Sequence, residues 1–529
     1  MDYPRRRFLA LVGSAAAGFV GPALVGADGS LARVPRRRTP VPRDVFTLGV
    51  ASGDPLPDGV LLWTRLAPRP LEGGGMPPVP VPVRWEVASD ERFRTVVRTG
   101  VAVAHPAAAH TLHVDARGLR PGAQYFYRFR VGGQASPVGR TRTAPASDAR
   151  PRRLRFATAS CQNYQDGYYT AYRAMAQEDL DFVAFLGDYI YEAAPWPGLL
   201  RAHLGPGQPY TLDEYRNRHA QYRTDPDLAA AHAAAPWIVA IDDHDVDDNW
   251  TGDGPADPTE PASVPFEARK AAALRAYVEH LPVRVGPGLR FHRRFRFGDL
   301  ATLHLLDTRQ YRSAHPTTVA EAEEPWRSMT GPAQERWLLD GLASGDGRWN
   351  LLGNQTLLAG NDGRAGPGEK YSFDSWDGYR VQRRRLLDFL GTGLAANPVV
   401  LSGDQHCTWV SQLVPEPRDE GSPVVGAEFS GTSITSGGDP DPGALRREDE
   451  ATRADNPQRL YVDARRGYLL GELTPDALRV RLRVVDSVTD PHADGARTGA
   501  RFVVEDGRPG VGLDGPPDVE GAPGGAPPA

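Results

Sequence analysis

The chain has 529 residues, with 61 basic against 66 acidic side chains and a formal net charge of −5. This length exceeds one ordinary domain and predicts at least two. The near balance of charge gives no electrostatic basis for a stable nucleic-acid partner. Two cysteines are too few for the disulfide framework of a small secreted domain.

The first 27 residues have the pattern of an export signal. A basic head is followed by an apolar, small-residue stretch, and a signal-peptidase site is predicted after Ala27. The segment Arg-Arg-Arg-Phe-Leu at 5–9 resembles the twin-arginine motif, which directs folded proteins to the twin-arginine export machinery. We therefore expect a secreted or extracytoplasmic protein. An uncleaved anchor and a chance basic leader are the alternatives, and after cleavage we expect no transmembrane anchor.

Residues 44–145, after an Arg- and Pro-rich linker at 28–43, predict an all-β domain. Short apolar or alternating runs such as "VLLWTRL" and "QYFYRFRV" are separated by closely spaced Gly and Pro. This pattern is typical of an antiparallel sandwich. An aromatic pair after a Pro-Gly turn at 119–129 is similar to a corner of fibronectin type III and immunoglobulin-like domains. We expect this domain to support or shield the chemistry rather than perform it.

From 152 to 506 apolar strands alternate with helical patterns, which predicts a layered α/β domain, an α+β sandwich. One helix is predicted to begin at the capping box of Thr211 and Glu214. A hairpin is predicted to turn at Gly298-Asp299, and the Gly- and Pro-rich tail at 507–529 is predicted to be disordered. Buried strands are predicted at 153–160, 180–187, 237–241, 349–353 and 398–402, and further helices at 168–177 and 265–281.

Reactive side chains gather at the predicted ends of these strands. Ligands bind beyond the carboxyl ends of strands in open α/β layers, so the residues that follow each strand are the ones to inspect. If these side chains served only in packing, their gathering at five strand ends would be a coincidence. The five strand-end sequences are "SCQN" (160–163), "GDYIYE" (187–192), "DDHDVDDNW" (242–250), "NQ" (354–355) and "DQHCTW" (404–409).

The run at 242–250 is the densest in carboxylates. An EF-hand interpretation fails, because the sixth place of such a loop is Asp248 rather than Gly and the twelfth is Gly254 rather than Glu. Crowded carboxylates repel one another and are stabilised by cations. We therefore predict a metal-associated loop that contains His244, with a solvated acidic turn as the alternative.

Cys161 and Tyr191 extend the metal hypothesis to a trivalent ion. Asp188, at a strand tip, can bridge two cations, and a phenolate three residues further on can reach the same centre. Phenolate and thiolate are strong anionic donors that favour iron(III) over zinc. Three alternatives stay open: an inert buried thiol, a disulfide between Cys161 and Cys407, and ordinary packing for either Tyr189 or Tyr191.

Six motifs in chain order resemble the alkaline phosphatase D (PhoD-like) family of metallophosphoesterases. The segment "FTLGVASGDPLPDGVLLWTRLAP" (46–68) is also similar to the N-terminal domain of that family, and the resemblance covers nearly all of 46–500. It implies an N-terminal all-β domain followed in the chain by a metallophosphatase domain of the α+β sandwich type. The motifs are "SCQ", "GDYIYE", "DDHDVDDNW", "DTRQYR" (307–312), "GNQ" (353–355) and "SGDQHCTW" (402–409).

The resemblance also implies the ligands, residue by residue. Members of the family commonly have Asn-Asn before the Trp, where this chain has Asp248-Asn249, so the sequence leaves open which of the two faces the metals. Cys407 is expected to be a spectator beside a ligand. The implied ligands are Cys161, Asp188, Tyr191 and His406 for iron(III), with Asp188 bridging, and Asp243, Asn249 and Asp404 for calcium.

On this hypothesis the chain hydrolyses a phosphomonoester or phosphodiester small molecule. Clustered cations lower the pKa of a bound water to give hydroxide and hold the phosphoryl oxygens for in-line attack. His244 would protonate the leaving alkoxide or orient the phosphate. Arg309 would offer a two-pronged contact to the phosphoryl group, with an ordinary salt bridge as its alternative.

Two rival functions differ from a general alkaline phosphatase. One is a phospholipase D-like preference for diesters. The other is a non-catalytic secreted binding protein stabilised by calcium. The pairing of Cys161 with Tyr191 argues against the second rival, because calcium has little use for a thiolate.

Overall fold

A computed structural model describes residues 41–515 except 206, 253, 260–262, 418 and 420. The predicted export signal, most of the predicted linker and the tail from 516 lie outside the described residues. Among the residues that are described, no helix is both long and apolar enough to cross a membrane.

Strands dominate the N-terminal part of the chain and alternate with helices after it. The first eight strands are β1 Val50–Leu56, β2 Gly59–Arg65, β3 Val81–Ala88, β4 Val96–Ala104, β5 Thr111–Arg117, β6 Gln124–Val131, β7 Gln134–Ala135 and β8 Gly139–Arg142. The later strands are β9 Leu154–Ala159, β10 Phe182–Phe185, β11 Pro236–Val239, β12 Arg293–Phe297, β13 Ala301–Leu305, β14 Trp349–Gly353, β15 Pro398–Ser402, β16 Thr408–Leu413, β17 Gly426–Ser430, β18 Arg459–Asp463, β19 Gly467–Leu473, β20 Ala477–Val484, β21 Arg497–Glu505 and β22 Gly512–Leu513.

The helices lie between these later strands. They are α1 Thr170–Met175, α2 Leu212–Arg223, α3 Pro226–Ala234, α4 Phe266–His280, α5 Val319–Ala322, α6 Gly331–Ala343, α7 Arg380–Gly391 and α8 Pro442–Thr452, with short 3-10 turns at Pro106–Ala108, Trp376–Tyr379 and Arg453–Asp455. The predicted capping box is confirmed: the Thr211 side chain accepts a hydrogen bond from the Glu214 amide, and α2 begins at the next residue, Leu212.

The N-terminal domain is a β-sandwich, as predicted, but one of its sheets is shared. Strands β3, β4, β6, β7 and β8 form a five-stranded antiparallel sheet that packs on β1, β2 and β5. Strand β1 pairs in parallel with β11, with Ser52 opposite Pro236. The predicted boundary between residues 44–145 and 152–506 therefore separates two segments of chain but does not separate two independent sheets.

Two large sheets stack face to face in the rest of the molecule. The ten-stranded sheet runs β22-β21-β20-β19-β9-β10-β11-β1-β2-β5, and the seven-stranded sheet runs β12-β13-β14-β15-β17-β16-β18. Their facing sides share one apolar core, in which the Phe182 ring stacks on Phe156 at 5.3 Å and on Phe297 of the opposite sheet at 4.8 Å. Helices cover the outer sides, as expected for a layered α/β domain.

Parallel strands lie at the centre of both sheets. Strands β9, β10 and β11 are parallel in one sheet, and β13, β14, β15 and β17 are parallel in the other. A strand such as β15, "PVVLS", is buried along its whole length, which is typical of parallel strands covered on both faces. The carboxyl ends of these strands point the same way within each sheet, so the loops that follow them gather at one edge.

Two other details of the sequence prediction are resolved. The hairpin at Gly298-Asp299 is confirmed, since β12 and β13 pair antiparallel on either side of it. The tail prediction is wrong for its first residues: β22 pairs with β21, and Leu513 lies opposite Phe502. Backbone pairing with a long, well-packed strand orders a Gly-rich segment that has little tendency to form structure by itself.

Candidate metal centre

Four predicted ligands converge on one point from three strand ends. Cys161, Asp188 and His406 each place a ligand atom within 4.8 Å of the other two. The Tyr191 hydroxyl oxygen lies 3.0 Å from Asp188 Oδ2 and 3.2 Å from His406 Nε2. The structure therefore brings together a thiol, a carboxyl, a phenol and an imidazole that are separated by up to 245 positions in the chain.

A second cluster, made of carboxyl groups, adjoins the first. Oxygen atoms of Asp188, Asp242, Asp243 and Asp404 all lie within 4.8 Å of one another. Asp188 belongs to both clusters, which is the position of a bridging ligand. Asp242 directly precedes Asp243 after strand β11, but no motif distinguishes it as a ligand.

The backbone at these positions adopts a conformation that side chains usually avoid. Five of the seven predicted ligands have a positive φ, between 52° and 68°. Left-handed conformations of non-glycine residues cost free energy, and they concentrate at functional sites where the surrounding structure enforces them. The five residues are Cys161, Asp188, Asn249, Asp404 and His406.

The donor groups fit metal ions. Asp188 Oδ1 is buried and has no hydrogen-bond partner among the described residues, so a strong acceptor is left unsatisfied. Burial, reinforced by Asp243, raises the pKa of Asp188 well above its usual value, and burial with Asp188 does the same for Tyr191 and Cys161. Their anionic forms therefore need a cation. The mixed cluster suits a transition metal, and the carboxylate cluster suits a hard cation.

His244 is held at the edge of the two clusters. Its ring stacks on Tyr191 with the centroids 4.1 Å apart, and its Nδ1 lies 2.8 Å from Glu192 Oε2. Burial lowers the pKa of His244, but Glu192 and Asp243 outweigh it and raise the pKa well above the usual value. These neighbouring carboxylates therefore favour the protonated form of the ring.

Asp248 and Asn249 contact the site through different groups. The Asn249 backbone N–H donates to Asp243 Oδ2 at 2.9 Å, which anchors the loop on a predicted ligand. The Asp248 side chain is 63% exposed, and its Oδ1 lies 3.8 Å from His244 Nε2. Asp243, His244 and Asp248 form a third group whose ligand atoms lie within 4.8 Å of one another.

Arg309 does not fit the prediction of a free fork for a phosphoryl group. Its side chain is completely buried, and its three nitrogens donate to Asp242 at 2.5 Å, to Asp243 at 3.1 Å and to both oxygens of Asp374 at 2.6 and 2.8 Å. The salt-bridge alternative describes this geometry. Carboxylates crowded next to a metal site attract the guanidinium inward, where it offsets part of their repulsion.

Further hydrogen bonds hold the predicted ligands in place. The Ser436 hydroxyl donates to the Tyr191 hydroxyl oxygen at 2.7 Å, and the Thr356 hydroxyl donates to Asp404 Oδ2 at 3.0 Å. Asp245 is buried, and its carboxylate accepts the backbone N–H groups of Tyr189, Ile190 and Asp242 at 3.0 to 3.2 Å. No motif identifies Ser436 or Thr356, because serine and threonine are common in loops.

Cys407 stands apart from the predicted metal ligands. Both cysteines are free thiols, so the disulfide alternative does not describe this structure. Cys407 packs beside Leu357, Trp409 and Val462, and the Trp409 indole N–H points at its sulfur at 2.5 Å. The half-buried thiol fills a small apolar cluster next to the His406 loop.

Comparisons with known proteins agree with this geometry. Residues 156–482 match the family model of the PhoD-like phosphatase, and residues 32–145 match that of the PhoD-like phosphatase N-terminal domain. Alkaline phosphatase D of Bacillus subtilis (strain 168) is 45% identical over 483 residues, which covers 88% of this chain and 82% of that protein. The solved structure of PhoD superposes with a TM-score of 0.84 at 43% identity, covering 90% of this chain and 93% of that chain.

Proposed function

The chain belongs to the PhoD-like phosphatase family, and from this premise we propose how its own residues carry out metal-dependent phosphoester hydrolysis. The family membership makes the chain a phosphoester hydrolase of the alkaline phosphatase type. The observation that carries the metal assignment is Asp188, shared by a mixed-donor cluster and a carboxylate cluster. We assign iron(III) to Cys161, Asp188, Tyr191 and His406, and calcium to Asp243, Asn249 and Asp404.

The assignment follows from donor chemistry. A thiolate and a phenolate in one site suit a trivalent transition metal, whereas carboxylate and amide oxygens suit calcium. Bound cations supply the positive charge that activates water and neutralises the phosphoryl oxygens. The carboxylates of Asp242 and Asp374 are instead paired with Arg309, which positions them and Asp243.

His244 is assigned the leaving-group step. The ring stands at the edge of the ligand clusters with Nδ1 bound to Glu192, so Nε2 is the nitrogen that a substrate can approach. As the ester P–O bond breaks, Nε2 gives its proton to the departing oxygen, which leaves as an alcohol. The oxygen of water replaces it on phosphorus, and the proton released by that water restores His244.

We further propose that the mature protein acts outside the cytoplasm. The basic segment at 5–9 and the apolar stretch after it support export by the twin-arginine machinery. Export in the folded state suits a protein whose metal is loaded inside the cell. The N-terminal domain at 44–145 is proposed to brace the ten-stranded sheet through β1 rather than to contribute ligands.

Metal analysis of the purified protein, combined with hydrolysis of a phosphomonoester, a phosphodiester and a phosphatidylcholine, tests the proposal. We expect iron and calcium in the active protein and turnover of simple monoesters and diesters. Activity confined to phosphatidylcholine would assign a phospholipase D-like preference instead. A protein that binds phosphoesters without turning them over would contradict the hydrolytic function.

A further inference from the structure

Glu192 is a buried carboxylate whose two oxygens are both committed to the loop that carries His244. Only 2% of the residue is exposed. Its Oε2 lies 2.8 Å from His244 Nδ1, and its Oε1 accepts the backbone N–H of Asp248 at 2.9 Å. The Glu192 side chain therefore holds the 242–250 loop at two points, the His244 ring and the Asp248 backbone.

The ring of His244 has no other orientation that keeps these contacts. Tyr191 lies against one face of the imidazole, with the ring planes 25° apart and the centroids 4.1 Å apart. Stacking fixes the plane of the ring, and Glu192 fixes its rotation within that plane. Nε2 is then directed away from Glu192, toward the side on which the exposed Asp248 carboxylate lies 3.8 Å away.

We propose that Glu192 is a positioning residue for the hydrolytic reaction, which holds His244 with Nδ1–H turned inward so that Nε2–H alone faces the leaving oxygen of the substrate. This inference rests on the proposed function of His244. The proton moves from Nε2 to the ester oxygen as the P–O bond breaks, and the Nδ1 proton stays on the ring throughout. Glu192 neither gains nor loses a proton.

A carboxylate is the group that this geometry requires. It accepts a hydrogen bond with each oxygen, one from the imidazole and one from the Asp248 backbone. Glutamine in the same place would have one acceptor and one donor end. If its oxygen faced the imidazole, its NH2 group would face the Asp248 N–H. If its NH2 group faced the imidazole, two donors would meet at Nδ1–H, and the ring would lose the contact that sets its orientation.

The test compares leaving groups that differ in their need for a proton. An alkyl phosphate releases a strongly basic alkoxide and depends on general acid catalysis, whereas p-nitrophenyl phosphate releases a stable phenolate without it. Acid catalysis contributes about 100-fold or more to rates. We expect Glu192→Gln to lower kcat/KM for the alkyl phosphate by about 100-fold and for p-nitrophenyl phosphate by no more than about 5-fold. A merely structural role would lower both rates equally.

Two further variants separate the possible failures. His244→Asn should show the same selective loss as Glu192→Gln; if it lowers both rates equally, the acid role of His244 is wrong and this inference falls with it. If His244→Asn is selective and Glu192→Gln is not, the positioning role is overturned while the proposed function stands. Glu428→Gln is the matched control, because Glu428 is another buried carboxylate that accepts two backbone N–H groups. It should not discriminate between the two substrates.

Iron content and thermal unfolding are measured for every variant, since Glu192 adjoins Tyr191. Selective loss with the metal content of the wild type supports the inference, and loss that tracks missing iron overturns it. Glu192→Asp replaces Glu192→Gln if the glutamine variant does not fold. Aspartate keeps the charge but is one methylene too short to reach both partners, so it should give the same selective loss to a smaller degree.

Discussion

The hydroxyl oxygen of Tyr191 lies 3.0 Å from Oδ2 of Asp188, three residues earlier in the chain. The left-handed backbone of Asp188, with φ of 59°, turns the chain sharply enough to bring the two side chains to the same point. One short turn after strand β10 therefore supplies both a carboxylate and a phenol. His406, from the other sheet, completes the approach at 3.2 Å from the same hydroxyl oxygen.

The first prediction is that the protein is coloured. A phenolate and a thiolate bound to iron(III) donate charge into the metal and give a broad visible absorption. Tyr191→Phe keeps the ring but removes the oxygen, so the band should shift or fade and most turnover should be lost. Cys161→Ser should release iron more readily, because a neutral hydroxyl replaces an anionic sulfur. Visible spectra and iron analysis measure both effects.

Cys407→Ser is the control for this prediction, since Cys407 lies outside the ligand clusters. It should keep the colour, the iron and most of the activity. An active wild-type protein that is colourless and free of iron would contradict the assignment of Tyr191 and Cys161.

The second prediction concerns calcium. If Asp243, Asn249 and Asp404 bind an oxygen-preferring cation, a calcium chelator should abolish hydrolysis while the visible band of the iron site remains. Adding calcium back should restore the rate, because the carboxylates are held in place by backbone and side-chain hydrogen bonds. Full activity after exhaustive chelation would show that these residues do not serve a catalytic cation.

The third prediction concerns Arg309 as an internal counter-charge. Arg309→Met should remove the guanidinium that bonds the buried carboxylates of Asp242, Asp243 and Asp374, although Asp374 keeps Arg312 at 2.6 Å. Removing one member of a buried ion pair costs about 3–5 kcal/mol, so the free energy of unfolding should fall by that order in the absence of calcium. Calcium should restore part of it, since a bound cation replaces the lost charge. Denaturant unfolding with and without calcium measures the difference.

Arg385→Met provides the comparison for this change. Arg385 pairs with Glu335 at 2.9 Å, but its side chain is 44% exposed, and surface pairs contribute about 0–1 kcal/mol. Equal destabilisation by the two substitutions would show that Arg309 is not a special counter-charge of the site.

The fourth prediction is a loss of stability in acid through His219. This side chain is completely buried, stacks on His280 at 5.2 Å and has no hydrogen-bond partner on either ring nitrogen among the described residues. Burial, with Arg218 nearby, lowers its pKa to about 3. Below about pH 6.5 the unfolded chain therefore binds a proton on His219 that the folded protein does not bind. Between about pH 6.5 and pH 3 this residue lowers the free energy of unfolding by about 1.4 kcal/mol for each unit of decrease in pH.

His219→Phe should flatten that dependence, because phenyl fills the same space and does not titrate. The free energy of unfolding, measured from pH 7 to pH 4 for both proteins, should fall less steeply in the variant as the pH decreases. Parallel profiles would show that His219 does not contribute to the acid sensitivity.

The fifth prediction concerns export. Replacing Arg5-Arg6 by Lys-Lys should leave the precursor in the cytoplasm, since the twin-arginine receptor reads the arginine pair. Cell fractionation followed by immunoblotting detects the precursor. Unchanged secretion of the variant would assign another export route.

The strand-end candidates could be read from the sequence because they follow apolar strands, whereas the assignment of particular ligands came from the resemblance to the PhoD-like family. Three of these candidates lie within three residues of a strand end: Cys161 after β9, Asp188 after β10 and Asp404 after β15. Asp243 lies four residues after the end of β11. Hydrophobic runs are local features, and ligands bind beyond the carboxyl ends of parallel strands as a rule. The capping box at Thr211 was equally local, since its two hydrogen bonds join residues three positions apart.

Contacts between distant parts of the chain could not be read from sequence patterns. Arg309 has a sequence context that suits phosphate recognition, yet Asp374, 65 positions away, and two carboxylates of another strand end enclose it. The sharing of a sheet between the N-terminal domain and the catalytic half was also not predictable. The parallel pairing of β1 with β11 leaves no mark on either sequence.

By itself, then, the sequence determined which residue types stand at the strand ends, and the resemblance that their motifs carry indicated the family and the hydrolytic class. Only the tertiary structure decided how they are arranged: Asp188 between two clusters, Ser436 behind Tyr191 across 245 positions, and Glu192 holding His244. The physical reason is the distance along the chain over which each kind of interaction acts. Burial patterns and caps depend on neighbours in the chain, whereas a hydrogen bond between two loops depends on how two whole sheets pack and on which strand ends that packing brings together.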